Sequence, residues 1–420
     1  MESTEQIKPP SPKRKKKEPT RTRSFQFRLY PTVAQEKLLD HTLDLCCWLY
    51  NASLEQSILA YRMRKITLSA KTQALELKRL KEEFPEFKEV NAQVLSDVIE
   101  RRYRAYQAFF RRLKLGQKAG FPRFKSRDRY HSCTFRQDGF RLHESDKRVF
   151  LSKIGHVKIR AWCSLPTEPA SATVTKKADG WYVTFVCTNI PAKPLPLTGA
   201  SVGIDLGLTK FITTSENETI GDINLLKKAE KNLRETQRSV SSKKKGSNRR
   251  KKAKKHLSCA HLHLTRVRKA QFDIITKDLV QRFDVICAEK LDVAEMVSIK
   301  KNKEKSAPNF INKTGLRRNI GLASWAQFIS ILSYKAEEAG KKLILVNPRG
   351  TSQECSGCGK VVKKDLTVRV HECPHCGILL DRDHNAAINI LQRGLRLLQE
   401  GSPPAAGKED SCDVQLSLAA

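Results

Sequence analysis

The chain has 420 residues, 39% of them hydrophobic, which is enough for about two to four domains with cores of their own. Lysine and arginine number 79 against 44 aspartates and glutamates, for a formal net charge of +35. Such an excess indicates a polyanionic partner, nucleic acid before a membrane surface. No stretch approaches the ~20 apolar residues of a spanning helix, and the N-terminus lacks the apolar core of a signal peptide. We therefore expect no membrane partner and an intracellular protein, in the cytoplasm or nucleoid, or in the nucleus if the host is eukaryotic.

The N-terminal segment is polar, and its run SPKRKKKEPTRTR combines positive charge with prolines. This composition predicts a disordered basic arm over residues 1–24. The cluster Lys13–Lys17 is either a nuclear import signal or part of a solvated arm that touches phosphates. The next residues, SFQFRLYPT, alternate in polarity as a strand does, and Pro31 ends the pattern.

Helical periodicity extends from about residue 33 to about residue 116. In NAQVLSDVIERRYRAYQAFFRRLKLG an apolar stripe alternates with arginines, so we expect the stripe to face a core and the arginines to contact nucleic acid. The stripe consists of Val94, Ile99, Tyr103, Tyr106 and Phe110, and the arginines are Arg101, Arg102, Arg104, Arg111 and Arg112. Short strands in KIGHVKIRAW, ASATVTKKADG and WYVTFVCTNI then predict a small β-barrel or sheet.

The pattern changes at residue 201, where SVGIDLGLTKFITTS predicts a buried strand, a glycine turn and a second strand. A long helical region rich in lysine and arginine follows, interrupted at SSKKKGSNRRKKAKK. RFDVICAEKLD and KKLILVNP predict two further strands, and SWAQFISILSYKAEEAG predicts a helix that ends at Gly340. DRDHNAAINIL opens a final helix.

Four of the 12 cysteines form two Cys-x-x-Cys pairs separated by a 14-residue spacer. They are Cys355, Cys358, Cys373 and Cys376. This spacing is typical of a tetrahedral four-thiolate Zn²⁺ site, and Gly357, Gly359 and Gly377 suit the tight turns of its two knuckles. Because such a site has no open position, we expect a structural role; a redox dithiol is the alternative. The scattered cysteines are expected to be small buried side chains, for example Cys46, Cys47, Cys133, Cys187 and Cys287.

Three carboxylates form a second constellation. Asp205 lies inside the apolar segment GIDLG, and Glu289 follows the apolar run VICA. A charge in such a strand is costly unless it is paired or bound to a metal, although an aspartate that caps a turn gives the same pattern. Asp383, at the start of the final helix, supplies the third acid. Together they could hold two Mg²⁺ ions ~3.5–4 Å apart for in-line hydrolysis of a phosphodiester.

Two aspartates of DRDHNAAINIL compete for the third position. On a 3.6-residue helix Asp383 shares its face with the apolar residues Ala386, Ala387 and Ile390, so that face should pack on a sheet. Counted from Asp381, positions i+3, i+4 and i+7 lie on a largely polar face of the helix. We therefore expect Asp381 to be the N-cap of the helix and Asp383 to be the metal ligand.

These segments resemble a known family. GIDLGLTKFIT, CAEKL, TSQECSGCG and CPHCGILLDRDHNAAINI are similar to the signature blocks of the TnpB (OrfB) proteins of bacterial insertion sequences, which are related to type V CRISPR effectors. FRLYPTVAQ, WLYNASL and GFPRFKS extend the resemblance over about residues 25–398. It implies an RNA-guided DNA endonuclease of a transposable element, with a guide RNA and a double-stranded DNA target as partners. It also implies that Asp205, Glu289 and Asp383 form the Mg²⁺-binding triad of a RuvC site.

The implied fold class is multidomain α/β, with an RNase H-like RuvC nuclease domain that contains an inserted zinc ribbon. An N-terminal helical recognition lobe and a small β-barrel wedge domain complete it. The expected boundaries are 1–24 for the basic arm, 25–40 and 119–196 for the wedge, 41–118 for the recognition lobe, 197–348 and 379–398 for the nuclease domain, 349–378 for the ribbon and 399–420 for a disordered tail. The ribbon should hold the start of the final helix, and hence its acid, against the sheet.

Two other functions are compatible with the same motifs. A transposase or recombinase of this fold performs strand transfer with an acid triad, and a non-catalytic zinc-containing regulator would only bind nucleic acid. The presence of all three acids favours catalysis over the regulator. Whether DNA ends are joined or hydrolysed separates the nuclease from the recombinase.

Overall fold

A computed structural model of the chain describes residues 21–221, 223–297, 310–365 and 368–401. The chain divides into two compact units, Met1–Pro191 and Ala192–Ala420. The cluster Lys13–Lys17 and most of the two predicted disordered segments lie outside the described residues. Within the described ranges no helix combines the length and apolar character that a membrane span requires.

The first unit contains a seven-stranded antiparallel sheet. Its strands are β1 (Arg21–Tyr30), β2 (Ser132–Arg136), β3 (Phe140–His143), β4 (Arg148–Leu151), β5 (Gly155–Arg160), β6 (Pro169–Lys177) and β7 (Gly180–Ile190). Their order is β2-β6-β7-β1-β5-β4-β3. β1 begins at Arg21, so residues 21–24 belong to the sheet and not to the predicted arm. Among the described residues no strand pair joins β2 to β3, so the pairing is that of an open sheet, and closure into a β-barrel stays a prediction.

Four α-helices pack with this sheet, namely α1 (Val33–Arg64), α2 (Ala70–Leu75), α3 (Leu77–Glu83) and α4 (Ala92–Lys114). α1 begins at a capping box, in which Thr32 and Gln35 each bind the backbone N–H of the other. Leu39 of α1 and Val94 of α4 belong to the same buried cluster as Phe27 of β1. The helices predicted as a recognition lobe and the strands predicted as a wedge therefore share one hydrophobic core.

The arginines of α4 do not all form a surface. Arg102 is only 1% exposed; it donates to Gln73 and lies over the ring of Tyr106 at 5.5 Å. The expectation of a nucleic-acid contact is therefore wrong for Arg102, which follows buried Ile99 by three residues and shares its helix face. Arg101 pairs with Asp97 at 2.6 Å. Arg104, Arg111 and Arg112 are exposed, as is Phe110 at the end of the predicted apolar stripe.

The second unit contains a five-stranded mixed sheet. Its strands are β8 (Ser201–Leu206), β9 (Ile212–Thr214), β10 (Thr219–Ile220), β11 (Val285–Glu289) and β12 (Lys342–Val346), in the order β10-β9-β8-β11-β12. β8, β11 and β12 are parallel, whereas β9 and β10 run antiparallel to their neighbours. The four strands that the sequence predicts in this unit are confirmed as β8, β9, β11 and β12.

Helices cover both faces of this sheet. The described helices of this unit are α5 (Ile223–Ser241), α6 (Asn248–Arg282), α7 (Val293–Val297), α8 (Phe310–Ala323), α9 (Trp325–Glu338) and α10 (Arg382–Gln399), and α5 packs on α6 in a small cluster of its own. Phe272 of α6 and Phe328 of α9 pack with Ile204 on one face. Ile390 of α10 packs with Cys287 on the other. The predicted break between two basic helices is confirmed between α5 and α6, and α9 is followed by Gly340 as predicted.

A two-stranded antiparallel ribbon, β13 (Val370–Glu372) and β14 (Leu379–Asp381), leads directly into α10. Two glycines let α10 approach the sheet. A Cβ at Gly203 of β8 would lie 2.1 Å from the carbonyl oxygen of Ala387, and a Cβ at Gly394 would lie 2.2 Å from Sγ of Cys287. Since real Cβ atoms do not approach other atoms this closely, the contact between α10 and the sheet requires glycine at both positions.

We predict that Gly203→Ala displaces α10 from β8, because its methyl group must occupy the space of the Ala387 carbonyl. Overpacking of this kind costs ~1–3 kcal/mol, so the thermal unfolding midpoint should fall. The matched control is Gly321→Ala in α8, where an added Cβ meets nothing within 4 Å and helix propensity improves. Equal unfolding midpoints for the two variants would contradict the close packing of α10.

Candidate active site and metal centre

Two carboxylates leave the sheet on the same side. Side chains alternate along a strand, so Gly203 and Asp205 of β8 both face α10. Cys287 of β11 lies opposite Gly203 in the parallel ladder, and Glu289 points to the same side as Cys287. Asp205 and Glu289 therefore stand at the carboxyl ends of neighbouring parallel strands, under the start of α10.

The third predicted acid comes from α10. Asp383 lies four residues before Ala387, on the helix face that contacts β8 over Gly203. Burial and, after it, the charges of Glu289 and Asp383 together raise the pKa of Asp205 to about 8. Like charges act in this way only when they are near one another. The charges of both other predicted acids thus act on Asp205, although among the described residues only the four cysteines have ligand atoms that all lie within 4.8 Å of one another.

Glu289 has a partner that the sequence analysis missed. Thr351 donates its hydroxyl proton to Oε1 of Glu289 at 2.5 Å, and Thr351 itself is buried. Burial raises the pKa of Glu289, while the Thr351 hydrogen bond and the charge of Arg393 act in the opposite direction. Thr351 therefore orients one carboxylate and favours its ionised form. A lone threonine after a strand carries no signal in the sequence that would identify this contact.

Asp381 and Asp383 take the positions predicted for them in the helix. Asp381 is the N-cap of α10 and accepts from the backbone N–H of Asp383 at 2.8 Å and of His384 at 3.4 Å. Its other oxygen lies 3.1 Å from Nζ of Lys210. Burial raises the pKa of Asp381, but the Lys210 and backbone hydrogen bonds outweigh it and leave that pKa lowered. Asp381 is therefore satisfied by local partners, and the N-cap prediction is confirmed.

The four predicted zinc ligands form one cluster. The Sγ atoms of Cys355, Cys358, Cys373 and Cys376 all lie within 4.8 Å of one another. Cys355 and Cys376 are separated by 3.5 Å between sulfurs, and Cys358 and Cys373 by 3.6 Å. Four thiolates at ~2.3 Å from a tetrahedral Zn²⁺ have sulfurs roughly 3.8 Å apart. The cluster therefore has the ligand number and the dimensions of a four-thiolate site.

The two knuckles have the same backbone geometry. Gly359 donates its N–H to the carbonyl of Cys355, and Gly377 donates to that of Cys373, each at 2.9 Å. Both glycines are in the left-handed region, with φ of 73° and 72°, as their predicted turn role requires. Although desolvation acts against it, hydrogen bonds from backbone amides and neighbouring thiols lower the pKa of Cys373, whereas, against a backbone hydrogen bond, desolvation and hydrogen bonds within the same group of thiols raise that of Cys376. The lowered pKa of Cys373 favours the thiolate form that binds metals.

Two buried asparagines of α10 connect the first knuckle to the helix. Asn385 donates to the carbonyl of Glu354 at 2.8 Å and accepts from the N–H of Ser356 at 2.9 Å, so it binds the chain on both sides of Cys355. Asn389, one turn later, donates to the carbonyl of Thr351 at 2.9 Å. A continuous network therefore joins the cysteine cluster, α10 and Glu289. The sequence predicts this face only as largely polar, with no role for either asparagine.

We predict that Asp205→Asn raises the thermal unfolding midpoint in Mg²⁺-free buffer, by a margin that grows with pH. Between its ordinary pKa of 3.8 and its folded pKa of about 8, folding must bind a proton at Asp205, so stability falls as the pH rises through this window. Asparagine removes that dependence. Midpoints are compared at about pH 5 and about pH 8, and a margin that is the same at both would contradict the shift.

Asp381→Asn is the control for this measurement. The pKa of Asp381 is lowered, so its ionised form favours the folded state and its replacement should bring no gain at high pH. If both variants gain equally, the repulsion among the three acids is not the cause.

Three family models match separate parts of the chain. A helix-turn-helix domain model of the IS605 OrfB type matches residues 21–65, which form β1 and α1. A model described as a "probable transposase" of the same type matches residues 184–300. A Cas12f1-like TNB domain model matches residues 325–390 and includes all four clustered cysteines and Asp383.

Solved structures of RNA-guided endonucleases share low similarity with the chain. The mini-RNA-guided endonuclease CRISPR-Cas phi3 aligns over 92% of this chain and 93% of its own, with 11% identity and a TM-score of 0.46. A Cas12f1–sgRNA–target DNA complex aligns over 88% and 98%, with 16% identity and a TM-score of 0.33.

Several proteins have a higher sequence identity to the chain than these solved structures do. A "putative RNA-guided DNA endonuclease" of Streptomyces pristinaespiralis is 30% identical over 89% of either chain, and InsQ of Escherichia coli K12, named in the same way, is 27% identical over 92% of this chain and 96% of its own. A TnpB-like protein of Acanthamoeba polyphaga mimivirus is 30% identical over 60% of this chain and 50% of its own. The similarity to the Streptomyces protein extends along most of both chains and coincides with the OrfB models. The chain therefore belongs to the TnpB (OrfB) family of insertion-sequence RNA-guided nucleases.

Proposed function

We propose that this chain is an RNA-guided DNA endonuclease. Its active site would consist of Asp205, Glu289 and Asp383, which would hydrolyse DNA phosphodiester bonds with the help of a bound metal. The observation that carries the proposal is the meeting of these three acids at the carboxyl ends of β8 and β11 and the start of α10. Its partners are then a guide RNA and a DNA target, as the names of the relatives imply, and we propose that this DNA is double-stranded. Asp205 lies on β8, the central strand of the mixed sheet, and Glu289 lies on its parallel neighbour β11. This arrangement supports an RNase H-like RuvC domain over residues 197–348 and 379–398.

The acid cluster fits a divalent cation. Asp205 has a raised pKa first because its carboxyl group is largely removed from water and second because Glu289 and Asp383 carry like charges. A cation among these carboxylates would replace repulsion with attraction. Mg²⁺ prefers oxygen ligands such as carboxylates, so these three residues would hold it. Bound Mg²⁺ supplies a nucleophilic hydroxide from water and neutralises charge on the phosphate. Thr351 would orient Glu289 towards the ion, and α10 would fix Asp383 relative to the sheet.

The cysteine cluster fits structural Zn²⁺, and we assign the ribbon at residues 349–378 to it. A closed four-thiolate site adds folding free energy without catalysing a reaction. Through Asn385, Asn389 and Thr351 the ribbon holds both α10 and Glu289. This network supports the expectation that the ribbon positions the acid at the start of the final helix.

The nucleic acid itself would be held by basic surfaces. Residues 236–272, from the end of α5 through most of α6, contain no acidic residue, and the lysines and arginines around the helix break are largely exposed. Such a surface binds phosphates without reading sequence. This supports a role for α5 and α6 in holding RNA or DNA, in addition to the recognition lobe (41–118) and wedge (25–40 and 119–196) that we propose for the first unit.

Strand transfer is the second candidate, because the model that matches residues 184–300 is described as a transposase. The two reactions differ in their product. Incubation of the guide-loaded protein with labelled DNA should yield free ends with no joined product. Joined ends would favour the recombinase.

We predict that Asp383→Asn abolishes cleavage and leaves guide RNA binding unchanged, because the amide removes one negative metal ligand and no basic surface. Asp381→Asn is the matched control: it should retain most activity, since asparagine is nearly as good an N-cap and the exposed pair with Lys210 contributes little. Cleavage of a labelled target by the RNA-loaded variants is the measurement. An inactive Asp381→Asn together with an active Asp383→Asn would reverse the assignment.

We also predict that zinc content and acid positioning can be separated. Cys373→Ser should contain no zinc by elemental analysis and should have a lower unfolding midpoint, because zinc binding contributes to folding.

Thr351→Val should keep its zinc yet cleave roughly tenfold more slowly, with a higher Mg²⁺ requirement, since Glu289 loses a hydrogen bond to its charged form.

Thr351→Ser provides the control for the hydroxyl, because it restores the donor in a side chain of similar size. It should cleave at nearly the unsubstituted rate. If the serine and valine variants are equally impaired, the contact between Thr351 and Glu289 is not what supports activity; if the unsubstituted protein contains no zinc, the zinc assignment is wrong.

A further inference from the structure

A cavity of about 160 Å³ lies beside the loop that follows β8. Its walls come from this loop, which includes Leu208, and from α5, α6 and α8. Leu264 of α6 contributes apolar surface, and Arg268 follows it by one turn on the same helix face. Because Leu208 is three residues after Asp205, its Cα lies at most ~11 Å along the chain from that of Asp205.

Arg268 enters this cavity without a partner for its charge. Its Nε is buried and has no hydrogen-bond acceptor in the described part of the chain. Burial alone lowers the pKa of Arg268, with no nearby carboxylate acting in the opposite direction. A guanidinium that is partly removed from water is costly unless an anion pairs with it. The position therefore has an unmet requirement for negative charge.

The one carboxylate in the cavity lining does not meet this requirement. Oε1 of Glu230 already lies 2.9 Å from Nη2 of Arg234 and 3.5 Å from Nη2 of Arg318. Two guanidinium groups thus share one carboxylate, and Lys227 adds a further positive charge to the lining. The cavity keeps a positive excess that an entering anion would neutralise.

We propose that this cavity is a phosphate subsite for the DNA strand that is cut, with Arg268 as its principal ligand. The planar guanidinium suits bidentate contacts to phosphate oxygens. The loop of Leu208 directly follows β8, whose Asp205 faces α10 on the side of the sheet opposite to α6. A strand bound at Arg268 would therefore cross the edge of the sheet at this loop to reach the carboxylates. The identity of the strand rests on the proposed nuclease function, whereas the need for an anion rests on the cavity itself.

The test uses the full chain loaded with guide RNA and a set of matched DNA targets. In each target one phosphate near the cut is replaced by an uncharged methylphosphonate. Binding is measured in Mg²⁺-free buffer, and cleavage is then started with Mg²⁺. Arg268→Gln is compared with Lys269→Gln, which removes the same charge from an exposed neighbouring position on α6, and with Arg268→Lys, which keeps the charge without the planar fork.

One methylphosphonate position should slow cleavage by the unsubstituted protein roughly tenfold, the effect of a lost charge-assisted hydrogen bond. Arg268→Gln should be slowed to a similar extent on normal DNA and show no additional loss at that position. Lys269→Gln should keep the full sensitivity, and Arg268→Lys should be intermediate. The unfolding midpoint of Arg268→Gln should not fall, because the variant removes an unpaired charge.

Three results would overturn the subsite. If cleavage by Arg268→Gln is still slowed in full by the methylphosphonate, Arg268 does not contact the phosphate that was replaced. If the unfolding midpoint of Arg268→Gln is lower than that of the unsubstituted protein, Arg268 has a structural role. Weaker guide RNA binding with unchanged DNA behaviour shows that RNA occupies the cavity. If the unsubstituted complex binds its target but never cuts it, the proposed function is wrong. The subsite is then tested by binding alone: one methylphosphonate position should weaken binding by the unsubstituted protein and not by Arg268→Gln.

Discussion

Because the carbonyl of Ala387 occupies the place where residue 203 would carry a Cβ, α10 can approach β8 only over a glycine. The candidate site depends on this contact. It sets Asp383 one turn before the contact point and beside Asp205, and it brings Asn385 and Asn389 against the first cysteine knuckle. Packing of one helix on one strand thus determines the position of an acid and of the ribbon together.

The same contact concentrates negative charge where burial makes it costly. The pKa of Asp205 rises to about 8, so without a cation the folded chain carries an electrostatic penalty at neutral pH. The surrounding structure compensates for this in part: Thr351 binds Glu289, and Asp381, two residues before Asp383, is neutralised by Lys210 and by the helix N-terminus. The desolvation and mutual repulsion of these carboxylates are unfavourable when no cation is present, and a bound cation would relieve both. This is consistent with the metal ion that we propose for the site.

The ribbon and the acids are linked through polar side chains that are almost fully buried. Such groups stabilise a structure only when their hydrogen bonds are satisfied. Asn385 uses both its donor and its acceptor on the knuckle, and Asn389 reaches the carbonyl of Thr351. Loss of the cysteine cluster would therefore affect Glu289 through defined contacts, which gives a physical reason for its position directly before the helix that carries an acid.

The amino-acid sequence by itself determined the features that depend on local spacing. The Cys-x-x-Cys pairs, the strands that end in Asp205 and Glu289, and the choice of Asp381 as N-cap follow from periodicity and from the chemistry of single residues. Tertiary structure decided what depends on distant neighbours. Arg102 is buried because its helix face packs inward, and Thr351 meets Glu289 although 61 residues separate them in the chain. In the described part of the chain the Nε of Arg268 has no partner, and Glu230, which lines the same cavity, pairs with Arg234 and Arg318 instead. Local patterns specify which side chains a helix or strand presents, whereas only the packing of these elements specifies what those side chains meet.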